Sequence, residues 1–292
     1  MAEPTFLDRI EGLGARLLFA LSGALSLDAA SNLGGWLGRT IGPRLAVSRR
    51  AERNLRRALP ALGDDEIAAI VVRMWDNLGR VVAEYAHLDE FSRDRSHDRV
   101  EIVGAEHFRA VHESDKGAIF VSAHYGNWEI NAAVAKWNGI DLVQVYRAAN
   151  NPVAEALVVR ARDHIAGGHL AKGPAGARQI VAALKKGRSL GMLVDQKLNA
   201  GLAVPFFGRD AMTATAPAEF ALRLGVPILP ARMERLRGAH FRFTLYPPLE
   251  MPATGDRERD VFEITKRITE LFEEWIRARP EQWLWLHRRW PD

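Results

Sequence analysis

From Gly104 onward the chain alternates short apolar runs with helix-length stretches, and this alternation constrains the fold more than any other feature. The runs are residues 118–122 (AIFVS), 142–146 (LVQVY), 190–194 (LGMLV), 226–230 (VPILP) and 241–245 (FRFTL). Five residues, rich in β-branched and apolar side chains, are too few for a helix and suit a strand covered on both faces. Helical spacing fills the intervals at 129–137, 153–164, 177–186 and 217–224, and a long final helix over 258–279 stops at Pro280. Pro217 suits a first helical turn, and Gly225 suits the end of the same helix. Strands that alternate with crossover helices pair in parallel, so the expected fold is α/β with a mostly parallel central sheet flanked by helices. No internal repeat or low-complexity tract interrupts it.

The first 60 residues read differently. Residues 13–27 (LGARLLFALSGALSL) are apolar apart from Arg16 and two serines, but fall short of the roughly 20 residues needed to span a bilayer. Asp8, Arg9 and Glu11 precede them in a pattern unlike a cleavable leader. Such a run forms either a buried core helix or a helix lying in the plane of a membrane. The second reading is favoured by Arg39, Arg44, Arg49, Arg50, Arg53, Arg56 and Arg57, among which Glu52 is the one acid. Anionic headgroups attract a cluster of this kind. The expected division is therefore a membrane-associating extension over 1–60 and an α/β domain over 61–292, which opens with a helix whose apolar positions run from Ile67 to Tyr85. With a net charge of +4 and no aromatic residues interleaved with the arginines, a membrane surface is preferred to nucleic acid.

Several chemistries are absent. With no cysteine there is no thiol nucleophile and no thiolate metal site. GxSxG, GxxxxGK[ST] and HExxH do not occur, and no metal or cofactor is expected. Attention falls on residues 122–129, SAHYGNWE, where the first α/β strand gives way to a helix, the usual location of ligand chemistry in such folds. His124 and Glu129 lie five apart across that turn, close enough for the carboxylate to fold back onto one imidazole nitrogen. An imidazole held in this way serves as a general base toward a hydroxyl. His164 and His169, by contrast, read as a helix terminus and its neighbour, and Trp283 and Trp285 as an extended tail packed on the core.

H-x4-E after a strand resembles the HX4D/E signature of glycerolipid-type acyltransferases. The wider pattern resembles one branch, the bacterial late lipid A biosynthesis acyltransferases that add lauroyl or myristoyl chains. It includes Tyr146-Arg147, Asn150-Asn151-Pro152, Arg160-Ala161-Arg162, Asp195-Gln196, Pro205-Phe206-Phe207-Gly208 and PEQWLWLHRRW over 280–290. Nearly the whole chain is covered. The resemblance implies transfer of a fatty acyl chain from an acyl carrier protein thioester to a hydroxyl of a lipid A precursor, on the cytoplasmic face of the inner membrane. It casts His124 as the base and Glu129 as the group that fixes its tautomer, with no covalent acyl-enzyme. Arg147 and Arg162 would clamp phosphates or steady the oxyanion. Asp195 and Gln196 would orient Arg162 or the acceptor sugar. The alternatives are a lysophospholipid, ornithine lipid or glycolipid acceptor and, in a different class, a non-catalytic lipid-binding protein, which would have no need of an oriented base.

Overall fold

The structure is a computed structural model that describes residues 5–91, 98–113, 116–146, 148, 151–171 and 174–290. Four helices come first: α1 (Phe6–Gly23), α2 (Leu27–Ile41), α3 (Ser48–Ala58) and α4 (Asp64–Glu84). Ser26 caps α2 by accepting from the Ala29 amide, and Glu66 closes the first turn of α4 by accepting from the Gly63 amide. Helices α2 and α4 pack antiparallel at glycines. A β-carbon at Gly34 would stand 2.3 Å from the Gly79 carbonyl oxygen, and one at Gly38 2.1 Å from that of Trp75. No other residue permits this approach.

Next come β1 (Val100–Val103), α5 (Phe108–His112), β2 (Ile119–Ser122), α6 (Ile130–Trp137), β3 (Leu142–Tyr146), α7 (Pro152–Arg162), β4 (His169–Ala171), α8 (Pro174–Lys185) and β5 (Ser189–Leu193). After these run β6 (Leu202–Phe206), β7 (Arg209–Thr213), α9 (Ala216–Leu224), β8 (Ile228–Arg237), β9 (His240–Leu245) and α10 (Arg257–Ala278). Seven strands form one sheet in the order β1-β9-β8-β2-β5-β3-β4, parallel throughout except at the β8–β9 pair. The expected α/β architecture is therefore present. Alternate side chains of the central strands feed two cores. Ile119, Val121, Leu190 and Met192 pack with α3, α4, α8, α9 and α10, while Phe120, Leu142 and Leu229 pack with α5 and α6.

Each of the five anticipated strands forms, within one or two residues at its start, and β8 runs on to Arg237. Strands β1, β4, β6 and β7 were not anticipated. The last two make a separate hairpin whose two loop residues, Phe207 and Gly208, both have positive φ (52° and 69°), the signature of a type I′ turn. The first helix is not a core helix: Leu13, Leu17 and Leu21 are 68%, 59% and 56% exposed. Among the described residues no helix is long and apolar enough to cross a membrane.

Candidate active site

Strands β2, β3 and β5 end on the same rim of the sheet because they run parallel. The turn that leaves β2 is pinned by its backbone. Gly126 has φ +58°, and a β-carbon there would lie 2.0 Å from the Met233 carbonyl oxygen, so β8 presses directly against the turn. The Gly126 amide donates to the Gln282 carbonyl (3.0 Å), and its own carbonyl accepts from the Asn77 side chain (3.0 Å). Tyr125 bridges to Trp283 in the C-terminal tail. The tail thus adds an edge to the turn, and Trp283 and Trp285 are buried as expected of a segment packed on the core.

His124 is held by Asp195, the second residue after β5. The ring Nδ1 lies 2.7 Å from one carboxylate oxygen, and the His124 backbone amide donates to the other at 3.0 Å. The Trp283 indole donates to that second oxygen at 2.8 Å. Burial works to raise the Asp195 pKa. The charge of His124, its two hydrogen bonds and the indole outweigh burial and keep the carboxyl well below its usual range. An ionised carboxylate only accepts, so in the neutral form of the ring Nδ1 carries the proton and Nε2 the lone pair. Gln196 stands 3.1 Å from that Nε2 and 2.5 Å from Nε2 of His287. Trp128 meets the His124 ring edge-on at 5.1 Å, and the His287 ring is 5.7 Å away. Burial, reinforced by the charge of His124, holds the His287 pKa down at about 4, so this second imidazole is neutral at neutral pH.

The anticipated contact between Glu129 and His124 is not made. Glu129 sits at the N-terminus of α6, fully buried, and its carboxylate turns away toward α4 and α7. Arg162 grips it with Nε and Nη2 at 2.7 and 2.6 Å, Tyr85 donates its hydroxyl at 2.6 Å, and the Trp128 indole donates at 2.8 Å. Burial would raise this carboxyl, but the Arg162 charge more than offsets it and the pKa is lowered. Burial, then the Glu129 charge, pushes the Tyr85 hydroxyl well above its ordinary value. A buried carboxylate needs a cation and several donors, and Arg162 with the two hydroxyl and indole donors supplies them. Arg162 is therefore engaged with Glu129 in a largely buried ion pair. Glu129 reaches His124 only through Trp128, which bonds the carboxylate with its indole and flanks the imidazole with its ring.

Of the residues singled out from sequence, His124, Asp195 and Gln196 converge, and Glu129 and Arg162 form a second cluster behind Trp128. Arg147 lies outside the described residues. Asp195 does not orient Arg162, which is paired elsewhere; it orients the histidine. Trp128, His287, Trp283 and Tyr85 were not singled out for the site at all. Between α6 and the sheet, bounded by Ser122, Trp128 and Glu129, runs a partly open cavity of about 60 Å³ lined by apolar residues such as Ala132, Leu142, Met192 and Phe243. Chemically, an imidazole at strand ends with a carboxylate behind it and an apolar slot beside it has the geometry to act as a general base.

The chain is similar over most of its length to known acyltransferases. The family profile described as bacterial lipid A biosynthesis acyltransferase matches residues 9–292. The lipid A biosynthesis lauroyltransferase of Escherichia coli K12 is 26% identical over 253 residues, 83% of this chain and 79% of its own. The palmitoleoyltransferase of the same strain is 24% identical, covering 87% of this chain and 83% of its own. A phosphatidylinositol mannoside acyltransferase of Mycobacterium tuberculosis is 26% identical, covering 82% and 75%.

Proposed function

The chain belongs to the bacterial lipid A biosynthesis acyltransferase family, and from that premise we propose that it transfers a fatty acyl chain from an acyl carrier protein thioester to a hydroxyl of a lipid A precursor, at the cytoplasmic face of the inner membrane. The observation that carries this reading is the His124–Asp195 pair at the strand ends. The acceptor hydroxyl takes the place of the Gln196 amide at Nε2 of His124 and gives up its proton there as its oxygen attacks the thioester carbonyl. Asp195 stabilises the imidazolium that forms. As the tetrahedral intermediate collapses, the carbon–sulfur bond breaks, the new ester remains, and the proton passes from Nε2 to the leaving thiolate. The displaced Gln196 amide is left as a donor for the oxyanion. A base of this kind contributes roughly 10²–10⁴-fold. Glu129, Arg162 and Tyr85 act as positioning residues, because they hold Trp128 against the imidazole.

The slot between α6 and the sheet takes the acyl chain. Exposed Lys197 and Arg288 each neighbour a residue that faces His124, and with Arg147 they suit the acceptor's phosphates. The exposed leucines of α1 lie on the bilayer surface. The test is mass spectrometry of the products formed by purified protein from lauroyl or myristoyl acyl carrier protein and a lipid A precursor. The expected result is one acyl mass added by wild type and none by His124→Ala. Because the mannoside acyltransferases match at the same 26% identity as the lauroyltransferase, a phosphatidylinositol mannoside is the second acceptor to assay. Acylation of that glycolipid alone would replace lipid A in this reading.

A further inference from the structure

Helix α3 presents a row of positive charge that the proposed chemistry does not use. It turns Ser48, Ala51, Asn54, Leu55 and Ala58 inward. Arg49, Arg53 and Arg57 are exposed and recur every fourth residue, which places them along one face. None of the three has a carboxylate partner among the described residues; the nearby acids Glu52 and Asp64 are both engaged by Arg56. Like charges four apart on a helix repel one another, so the row is unfavourable in the isolated protein.

The inner side of the same helix is bonded to the rim of the active site. Asn54 donates to the carbonyls of Trp285 (2.9 Å) and His287 (2.8 Å), and Arg50 donates to that of Leu286 (3.0 Å). The arginine row therefore stands one helix diameter, about 10 Å, from the tail segment that places His287 beside His124. The apolar face of α1 is elsewhere. Helix α1 ends where α4 ends, with Gly23 facing Ala86, whereas Arg56 of α3 reaches the first residue of α4. Those two ends are about 30 Å apart along the axis of the 21-residue α4.

We propose that Arg49, Arg53 and Arg57 form the docking face for an acidic helical surface of the acyl carrier protein, which sets the thioester at the mouth of the site. This rests on the carrier being the donor, as proposed above. A helix bearing carboxylates every fourth residue matches the arginines' rise of about 6 Å per step, and charge of opposite sign steers the encounter.

The test compares two donors, lauroyl acyl carrier protein and lauroyl pantetheine, a neutral fragment that carries the same thioester. Wild type, the Arg49→Glu/Arg53→Glu/Arg57→Glu triple variant and the triple Arg→Lys variant are assayed at 50 and 300 mM salt. The expected result is a KM for the carrier raised about tenfold or more by the reversal and restored by lysine, with kcat, the pantetheine rate and vesicle binding unchanged. High salt should raise the wild-type KM and lower that of the reversed variant, because it screens attraction in one and repulsion in the other. An unchanged carrier KM in the folded reversed variant overturns the proposal, as does an equal loss with both donors, which would place the arginines in the site. A carrier KM that stays constant while vesicle binding falls assigns the row to lipid. Wild-type transfer from pantetheine but none from the carrier refutes the donor itself, an outcome distinct from a misplaced docking face.

Discussion

Changing Asp195 to Asn keeps the side chain's size but removes its charge, and the consequence follows from three bonds. The carboxylate now accepts from Nδ1 of His124 at 2.7 Å, from the His124 amide at 3.0 Å and from the Trp283 indole at 2.8 Å. With its oxygen still committed to the backbone amide and indole, the Asn amide turns an N–H toward Nδ1. The imidazole then moves its proton to Nε2, where it can no longer act as a base. A tautomer error of this type behind a catalytic imidazole lowers kcat by about 10⁴. The stability loss is smaller, about 1.5–3 kcal/mol for the lost charge assistance. Glu129→Gln should divide the other way. It breaks a buried two-point pair with Arg162, costing about 3–5 kcal/mol, yet leaves the His124–Asp195 bond in place. Steady-state transfer measured beside thermal unfolding separates the two variants. Asp195→Asn is expected to be almost inactive with Tm lower by several degrees, and Glu129→Gln to have the lower Tm and the higher kcat of the pair. If Asp195→Asn stays within tenfold of wild type while Glu129→Gln loses activity at unchanged Tm, Glu129 is the partner of the imidazole and this reasoning fails.

His287, with its pKa near 4, takes its proton in the unfolded chain first, near pH 6.5, so stability should fall as pH drops from about 6.5 to about 4. His287→Gln should flatten that limb of a denaturant-midpoint profile, and an unchanged slope would show that the imidazole is not buried neutral. Asp195 adds a limb of the same sign at lower pH: its lowered pKa stabilises the fold above pH 4, and that contribution should disappear as pH falls through the depressed value, an acid limb that Asp195→Asn should lack. Gly38→Val should lower Tm sharply, because the new side chain begins 2.1 Å from the Trp75 carbonyl oxygen; a change under about 1 kcal/mol would mean that α2 and α4 do not pack this closely. Leu13→Gln/Leu17→Gln/Leu21→Gln should leave Tm nearly constant and weaken sedimentation with anionic vesicles at least tenfold; full binding by the variant would place the membrane contact off α1.

The order of elements was legible in the sequence because it is written locally. A buried parallel strand is a short apolar run, as at 142–146, and a helix is a longer periodic one that ends at Gly225 or Pro280. The strands that escaped notice lack that signature. Strand β1 is a four-residue edge bearing Glu101, and β6 carries Pro205, which a two-stranded ribbon tolerates because an edge strand has no obligatory partner for every amide. The position of His124 was also legible, since a strand that passes into a helix identifies the rim of the sheet without knowledge of the strand order. Its carboxylate was not. Glu129 is nearest in sequence, but the sheet sets β5 directly beside β2, which brings Asp195 to the imidazole across 71 residues. Arg162, delivered by α7, draws Glu129 into an ion pair instead. Composition and spacing fixed which residues stand at the strand ends. Which carboxylate holds the histidine depended on strand adjacency and on where a buried charge could find its counterion, and those are properties of the packed chain alone.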